Sequence, residues 1–234
     1  MRPPPNALML FAAGFGTRMG ALTRERPKPL IEVAGRPLLD HALDVADAAG
    51  VRRIAVNTHF KADQITAHLA GRPNADHIAI SHEKDAILDT GGGLRAALPL
   101  LGGGPVFTLN TDAVWQGPNP LTLLAQGWDE AKMDALLLCL PPAQAIGHAG
   151  EGDFMLDDDG RVARGPGLVY SGAQIIRTDL LGDMPDGAFS LNAVWNTMIP
   201  HGRLFGTVYP GAWCDVGHPG GIALAEEMLE RGDV

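Results

Sequence analysis

The chain has 234 residues, of which 46% are hydrophobic and 19% charged, so its composition is that of a folded globular protein. The formal net charge is −9 and no run of lysine or arginine occurs, which argues against nucleic acid as a partner. The longest clear apolar run, Ala135 to Leu140, is far shorter than the ~20 residues that cross a bilayer, so we expect no membrane partner.

Cysteine usage and the N-terminal residues bear on the compartment. Only Cys139 and Cys214 are present, which argues against a disulfide framework. The N-terminal "MRPPPN" lacks the apolar stretch of a signal peptide. We therefore expect a cytoplasmic protein that forms a single domain over residues 1–234, as a monomer or a small homo-oligomer.

Strand-like and helix-like segments alternate through the first part of the chain. Apolar runs predict strands at 7–13, 52–58, 77–82, 105–113 and 133–140. Helical spacing and glycine boundaries predict helices at 36–50, 61–71, 91–100 and 119–128. This order predicts an α/β, single-domain Rossmann-like fold with a mostly parallel, mixed sheet and helices on both faces.

The later part of the chain is less regular. It contains a predicted hairpin at 151–164 that turns on Asp159-Gly160, strands at 168–178 and 203–210, and helices at 188–202 and 219–232. We expect residues 7–115 to form the part that binds a nucleotide, and residues 116–234 to form an acceptor side or lid.

Polar residues follow several predicted strands. A glycine loop (14–20), Asn57 and the corner from Asn110 to Asp112 all fall at carboxyl ends, where open α/β sheets bind ligands. The loop is not a P-loop, because the sixth position from Gly14 is Met19 and no Gly-Lys pair follows. Met19 also breaks the dinucleotide fingerprint, and the second strand ends in Asn-Thr-His without the acidic residue of a dinucleotide oxidoreductase.

Lys28 lies eight residues beyond the loop between two prolines, which fix the backbone around it. The whole stretch "AAGFGTRMGALTRERPKPLIEVAGRPLL" resembles the N-terminal signature of the sugar-1-phosphate nucleotidyltransferases. The resemblance continues through "NTD" (110–112), "YSGA" (170–173), "FSL" (189–191) and "WCDVG" (213–217). It implies the nucleotide-diphospho-sugar transferase fold, and a reaction that joins a nucleoside triphosphate to a sugar 1-phosphate with release of pyrophosphate.

The resemblance also implies roles for particular residues. Arg18 and Lys28 would be the catalytic cations on the triphosphate, and Asp112 and Asp215 would hold a catalytic Mg²⁺. The residues expected to bind the nucleotide are Ala12, Ala13, Gly14, Gly16, Thr17, Arg18, Lys28, Glu83, Thr90, Gly91 and Gly92. Those expected on the sugar side are Asn57, Asn110, Asp153, Ser171, Gly172, Asn192 and Trp195.

Several of these assignments have a purely structural alternative. The "TGGG" run (90–93) could serve close helix packing, Glu83 could be a surface residue, and Trp195 could belong to the core. Two positions depart from the family pattern: Thr111 stands where glycine is common, and Asn192 where glutamate is common. The first predicts strain at the metal site, and the second predicts a sugar other than plain glucose or mannose.

The short chain, "TGGG", "GDF" (152–154) and "AWCDVG" (212–217) most resemble the branch of the family that joins UTP to N-acetylmuramate 1-phosphate in peptidoglycan recycling. The alternative within the family is mannose-1-phosphate guanylyltransferase, which makes GDP-mannose. An alternative of another class is a catalytically inactive nucleotide-binding regulatory module. The presence of Lys28, Asp112 and Asp215 argues against that last alternative.

Overall fold

A computed structural model of the protein describes residues 5–232. Residues 1–4 and 233–234 lie outside the described residues. They include both ends of the expected domain and most of the N-terminal "MRPPPN". The strands are β1 (Ala7–Phe11), β2 (Glu32–Val33), β3 (Arg36–Pro37), β4 (Arg53–Thr58), β5 (Ile78–His82), β6 (Val106–Asn110), β7 (Ala113–Gln116), β8 (Ala135–Leu140), β9 (Ala145–Ile146), β10 (Phe154–Leu156), β11 (Val162–Arg164), β12 (Val169–Ile176), β13 (Leu204–Val208) and β14 (Ala212–Asp215). The helices are α1 (Leu38–Ala48), α2 (Ala62–Ala70), α3 (Asp89–Leu101), α4 (Pro120–Gly127), α5 (Leu191–Met198) and α6 (Gly220–Gly232).

A central sheet of seven strands has the order β13-β8-β12-β6-β1-β4-β5. Strand β12 is antiparallel to both of its neighbours, and every other pair in this sheet is parallel. The predicted mostly parallel, mixed sheet is therefore confirmed. The shorter strands form three further sheets: β7-β14-β9, β10-β11 and β2-β3.

Helices cover both faces of the central sheet, as predicted. Along β1, Leu8 and Leu10 face a core shared with α1, α2 and α4. Ala7 and Met9 face a second core shared with α3 and α5. Successive side chains of a strand point to opposite faces, so a strand buried on both sides is apolar throughout.

Three expected boundaries were wrong. The segment 105–113 is not one strand: β6 ends at Asn110, and the chain resumes as β7 in the small sheet beside β14. Helix α3 begins at Asp89 and contains the glycines that were expected to open it. The helix expected at 188–202 is α5 followed by a 3-10 turn at Ile199–His201. Within residues 5–232, no helix combines the length and the hydrophobicity needed to cross a membrane.

Strand β1 supports the whole fold, and this can be tested at Leu10, which is fully buried. We expect Leu10→Ala to lower the free energy of unfolding by about 2–5 kcal/mol, because it removes buried methyl groups and leaves a cavity. The control is Leu224→Ala on α6, where the side chain is 38% exposed and the change should be small. Urea unfolding of both variants measures the difference, and equal effects would contradict this account of the core.

Candidate active site

The site begins where three parallel strands end side by side. In the register of β6, β1 and β4, Phe11 stands between Asn110 and Asn57. The chain segments that leave these strands therefore meet at one edge of the sheet. They enclose a cavity of about 370 Å³, the first cavity. Its lining includes Ala12, Ala13, Gly14, Gly16, Thr17, Arg18, Lys28, Asn57, Thr90, Asn110 and Asp112.

The glycine loop forms one wall of the first cavity and leads into a 3-10 helix at Thr17–Thr23. Gly16 has a φ of +63°, and a Cβ there would lie 2.8 Å from the Cβ of Lys28. The turn and the packing therefore both require glycine at this position. Gly14 differs, because it has no positive φ and nothing lies within 4 Å of a Cβ built there. A side chain at position 14 would be excluded on steric grounds only if a ligand approached the backbone closely there.

Lys28 lies between the glycine loop and Asp112. It begins a short 3-10 turn, Lys28–Leu30, and its side chain is only 11% exposed. Nζ donates a hydrogen bond to Asp112 Oδ2 over 2.8 Å. Arg18 lines the same cavity but is exposed, and it has no ion pair within 4.0 Å in the part of the chain that the structure describes.

Asp112 and Asp215 come together through backbone pairing. Strand β14 pairs with β7 so that Asp215 faces Ala113, and the Val216 N–H donates to the Asp112 carbonyl at 2.8 Å. Burial raises the pKa of the Asp215 carboxyl, and the nearby Asp112 carboxylate raises it further. Lys28, Arg18 and His148 oppose this shift in pKa by their positive charge. Asp112 lines the first cavity, whereas Asp215 is not among the residues that line it.

These two carboxylates fit a divalent metal. Their oxygens are hard ligands, and their mutual repulsion would be relieved by a cation between them. No group of three or more His, Cys, Asp or Glu side chains suited to a metal lies within residues 5–232. A pair of carboxylates with room for waters and phosphate oxygens is the arrangement that Mg²⁺ accepts. Gly217 leaves room for the Asp215 carboxylate, since a Cβ there would lie 2.8 Å from Asp215 Oδ2.

The strain expected at Thr111 is absent. Among the described residues only Ala34, Lys61 and Asp89 combine a side chain with a positive φ. The Thr111 hydroxyl instead donates to the Phe11 carbonyl at 2.7 Å. Threonine in place of glycine at position 111 thus adds a hydrogen bond between the ends of β6 and β1.

Asn57 and Glu83 form a buried pair behind the glycine loop. Asn57 Oδ1 accepts from the Ala12 N–H at 2.7 Å, and its Nδ2 donates to Glu83 Oε1 at 2.7 Å. Glu83 Oε2 accepts from the Leu88 N–H at 2.7 Å. Glu83 is therefore not a surface residue, and it does not line the first cavity. Asn57, expected on the sugar side, reaches only that cavity, and its amide is engaged with Ala12 and Glu83.

The "TGGG" run packs closely against the segment before α5. A Cβ at Gly91 would lie 2.4 Å from the Phe189 ring, and one at Gly92 would lie 2.8 Å from the Gly187 carbonyl. The N–H groups of Gly91 and Gly92 both donate to the Phe189 carbonyl. Neither glycine lines a cavity, so the packing alternative accounts for both of them. Thr90, in contrast, lines the first cavity and accepts from the Leu191 N–H.

A second cavity of about 210 Å³ adjoins the first and shares Phe11, Asp89, Thr90 and Asn110 with it. Of the residues expected on the sugar side, Asn110, Asp153, Asn192 and Trp195 line it. Trp195 is also core, since its Nε1 donates to the buried Gln174. Ser171 and Gly172 line neither cavity. The Ser171 hydroxyl donates to the Leu138 carbonyl, and Gly172 packs against Asn110.

Sequence reasoning missed several residues of the second cavity. Asp89 lines both cavities and has a φ of +59°, and its only signal was its place just before Thr90. Arg164 and Tyr170 also line the second cavity. Arg164 gave no signal, because an arginine on a predicted hairpin reads as a solvated surface residue.

The Rossmann-like sheet of this chain is shared with solved structures of nucleotidyltransferases. A solved UDP-glucose pyrophosphorylase in complex with UDP-glucose superposes with a TM-score of 0.79 at 15% identity, over 97% of this chain and 99% of that one. The model of the MobA-like NTP transferase domain matches residues 8–148. The chain therefore belongs to the MobA-like NTP transferase family, and it is a nucleotidyltransferase.

Two relatives are similar over most of their length. An N-acetylmuramate alpha-1-phosphate uridylyltransferase from Caulobacter vibrioides is 41% identical, over 98% of this chain and 99% of the relative. A protein of the same name from Neisseria meningitidis is 34% identical, over 89% of this chain and 92% of the relative. The predicted family is thereby confirmed.

The Asn57–Glu83 pair can be tested by exchanging its donor and acceptor. We expect Asn57→Asp to destabilise the protein at pH 8, because it sets a carboxylate against Glu83 Oε1. One carboxyl pKa of this pair would then be raised in the folded protein, so stability should return as the pH falls. Adding Glu83→Gln should restore stability at pH 8, since every donor then meets an acceptor. Thermal unfolding at pH 5 and pH 8 measures this, and a double variant no better than the single one would contradict the pairing.

Asp215 should weaken the fold at neutral pH. Its carboxyl pKa is raised in the folded protein, so its favourable contribution is present at low pH and is lost as the pH rises through the folded pKa. We expect Asp215→Asn to raise the melting temperature at pH 7.5 in EDTA, with a smaller gain at pH 4. The matched control is Asp112→Asn, which also removes the partner of Lys28 and should give no gain. A gain independent of pH, or a loss, would count against the raised pKa.

Proposed function

We propose that the enzyme transfers the uridylyl group of UTP to N-acetylmuramate 1-phosphate, which gives UDP-N-acetylmuramate and pyrophosphate, in peptidoglycan recycling. The observation that carries this proposal is the near full-length similarity to the Caulobacter uridylyltransferase, in a chain whose two cavities meet at the strand ends. We also propose that the enzyme acts in the cytoplasm. The buried free thiols Cys139 and Cys214 fit that reducing compartment.

We assign the nucleotide to the first cavity. Its lining comes almost entirely from residues before 116, which supports the expected nucleotide part at 7–115. The glycine loop offers backbone N–H groups to phosphate, and the open space at Gly14 lets the backbone approach it. Arg18 and Lys28 would neutralise phosphate charge in this cavity.

The reaction needs alignment more than it needs a base. An oxygen of the sugar phosphate attacks the α-phosphorus in line, a new P–O bond forms, and the bond to pyrophosphate breaks. The nucleophile is already anionic at neutral pH, because the second pKa of a phosphate monoester is about 6.

We propose Mg²⁺ as the cofactor, held by Asp112 and Asp215. When bound, it would neutralise charge on the phosphates during transfer. Lys28 lies against Asp112, so the ammonium is fixed beside the same phosphates by a side chain that is largely buried. The lysine therefore loses little freedom when the transition state forms.

We assign the sugar ring to the second cavity, where Asp153, Asn192 and Asn110 offer polar atoms to hydroxyl or amide groups. Eight of its twelve lining residues come from beyond residue 116, which supports an acceptor role for that part of the chain. The runner-up, transfer of a guanylyl group to mannose 1-phosphate, would use the same mechanism. It would place a neutral sugar beside Arg164.

The test is pyrophosphate release with Mg²⁺, in which UTP, GTP, dTTP and CTP are crossed with the 1-phosphates of N-acetylmuramate, N-acetylglucosamine, glucose and mannose. We expect UTP with N-acetylmuramate 1-phosphate to give the highest kcat/KM. A dominant signal from GTP with mannose 1-phosphate would overturn the substrates and keep the mechanism. Silence across all pairs, with UTP still bound, would favour the inactive regulatory module.

Lys28 should act on the chemical step and not on binding alone. We expect Lys28→Ala to lower kcat by about 10²–10³-fold as well as raise the KM for the triphosphate, because a fixed cation is lost where charge develops. The control is Lys132→Ala, which should leave kcat and KM unchanged. Lys132 is exposed and lies just before the amino end of β8, at the edge of the sheet opposite the first cavity. An unchanged kcat in Lys28→Ala would contradict the role.

A further inference from the structure

The second cavity contains a cation that the transfer reaction does not require. Its charged lining residues among those described are Asp89, Asp153 and Arg164. In the proposed reaction, the phosphates of both substrates would meet at the first cavity, where Arg18 and Lys28 lie. A guanidinium beside the sugar ring would therefore find only hydroxyl groups if the sugar were neutral. Arg164 is an exposed residue at the rim of this cavity, and its positive charge favours a ligand that carries a negative charge.

Arg164 is oriented by its neighbours. It pairs with Phe154 in the antiparallel register of β10 and β11, and its guanidinium carbon lies 4.9 Å from the Phe154 ring centroid. The Trp195 ring centroid lies 5.8 Å away on α5. Nε and Nη2 donate to Asn196 Oδ1 at 3.3 and 3.0 Å, and Nη2 also reaches the Asn192 carbonyl at 3.4 Å. Two aromatic rings and one amide thus fix the plane of the group.

One edge of this guanidinium has no partner. Nη1 donates no hydrogen bond to any described residue, and no carboxylate of residues 5–232 lies within 4.0 Å of Arg164. Partial desolvation lowers the pKa of Arg164, and the nearby Asp153 carboxylate opposes that shift without forming an ion pair with it. Asp153 Oδ2 instead accepts from the Tyr170 N–H at 2.9 Å. A fixed guanidinium with an open edge is a receptor for a carboxylate.

We propose that Arg164 determines the specificity for an acidic sugar by binding the lactyl carboxylate of N-acetylmuramate 1-phosphate. The inference rests on the proposed function and adds to it the residue that recognises the acid group. N-acetylmuramate differs from N-acetylglucosamine only by a lactyl ether, whose carboxylate is ionised at neutral pH. Arg164 would distinguish these two sugars, whereas Asp153 and Asn192 would bind features that both of them share.

The test compares kcat/KM for N-acetylmuramate 1-phosphate and N-acetylglucosamine 1-phosphate, with UTP and Mg²⁺, in wild type, Arg164→Met and Arg164→Lys. We expect Arg164→Met to lose about 10–100-fold on the acidic sugar, the range of a charged hydrogen bond, and less than about 3-fold on the neutral one. Arg164→Lys should give an intermediate loss of kcat/KM on the acidic sugar, since lysine keeps the positive charge but cannot form a bidentate hydrogen bond. The matched control is Arg161→Met on the same ribbon, which lies over the Phe205 ring and lines neither cavity.

A second arm changes the ligand and leaves the protein unchanged. The lactyl carboxamide of N-acetylmuramate 1-phosphate should lose the same factor with wild type as the acid loses with Arg164→Met. The carboxamide should show no further loss with the variant. These matched losses would identify the carboxylate as the group that Arg164 binds.

The outcomes separate the two proposals. If wild type prefers the acidic sugar and Arg164→Met keeps that preference, the inference about Arg164 is overturned and the proposed function stands. Equal losses on both sugars would assign Arg164 a packing role under Trp195 and also overturn the inference. If wild type turns over only neutral sugars, the proposed substrate fails and the inference fails with it.

Discussion

The close approach of Asp112 and Asp215 is the constraint on which the site depends. One carboxylate follows the end of β6 and the other ends β14, and the antiparallel pairing of β7 with β14 sets them together. Two like charges in a partly buried place repel each other, which raises the pKa of Asp215. Lys28, Arg18 and His148 reduce that repulsion. A pair held in this way has a structural reason to bind a cation, and the fold provides one edge of the sheet on which to do so.

The position of the two cavities follows from the same edge. Strands β6, β1 and β4 end together, so the glycine loop and Asn110 lie next to each other without a separate domain to position them. The cavities share Phe11, Asp89, Thr90 and Asn110 as a common wall, so two ligands bound as proposed would lie next to each other. Arg164 lies on a separate ribbon and contacts only the second cavity. Under the proposed function, this separation would divide phosphate transfer from selection of the sugar.

Local patterns predicted the central strands and the residues at their ends, because apolar runs and strand-end polar residues are visible within a few positions. They did not predict that β12 is antiparallel, nor that Gly91 and Gly92 pack on Phe189, since these contacts join residues far apart in the chain. Asn57 and Glu83 were both selected as functional residues, and the structure shows that they support the loop through bonds to Ala12 and Leu88. Arg164 was missed because its role depends on where the hairpin packs. A hairpin sequence does not contain that information.

The most direct test of the two-carboxylate site is the binding of Mn²⁺, a spin-active substitute for Mg²⁺, followed by electron paramagnetic resonance with a non-hydrolysable UTP analogue present. The account predicts one tightly bound ion in wild type. It predicts at least about 10-fold weaker binding in both Asp112→Asn and Asp215→Asn, because each removes one of few protein ligands. Unchanged binding in either variant would contradict a metal shared by the two residues and would place the cation elsewhere on the nucleotide.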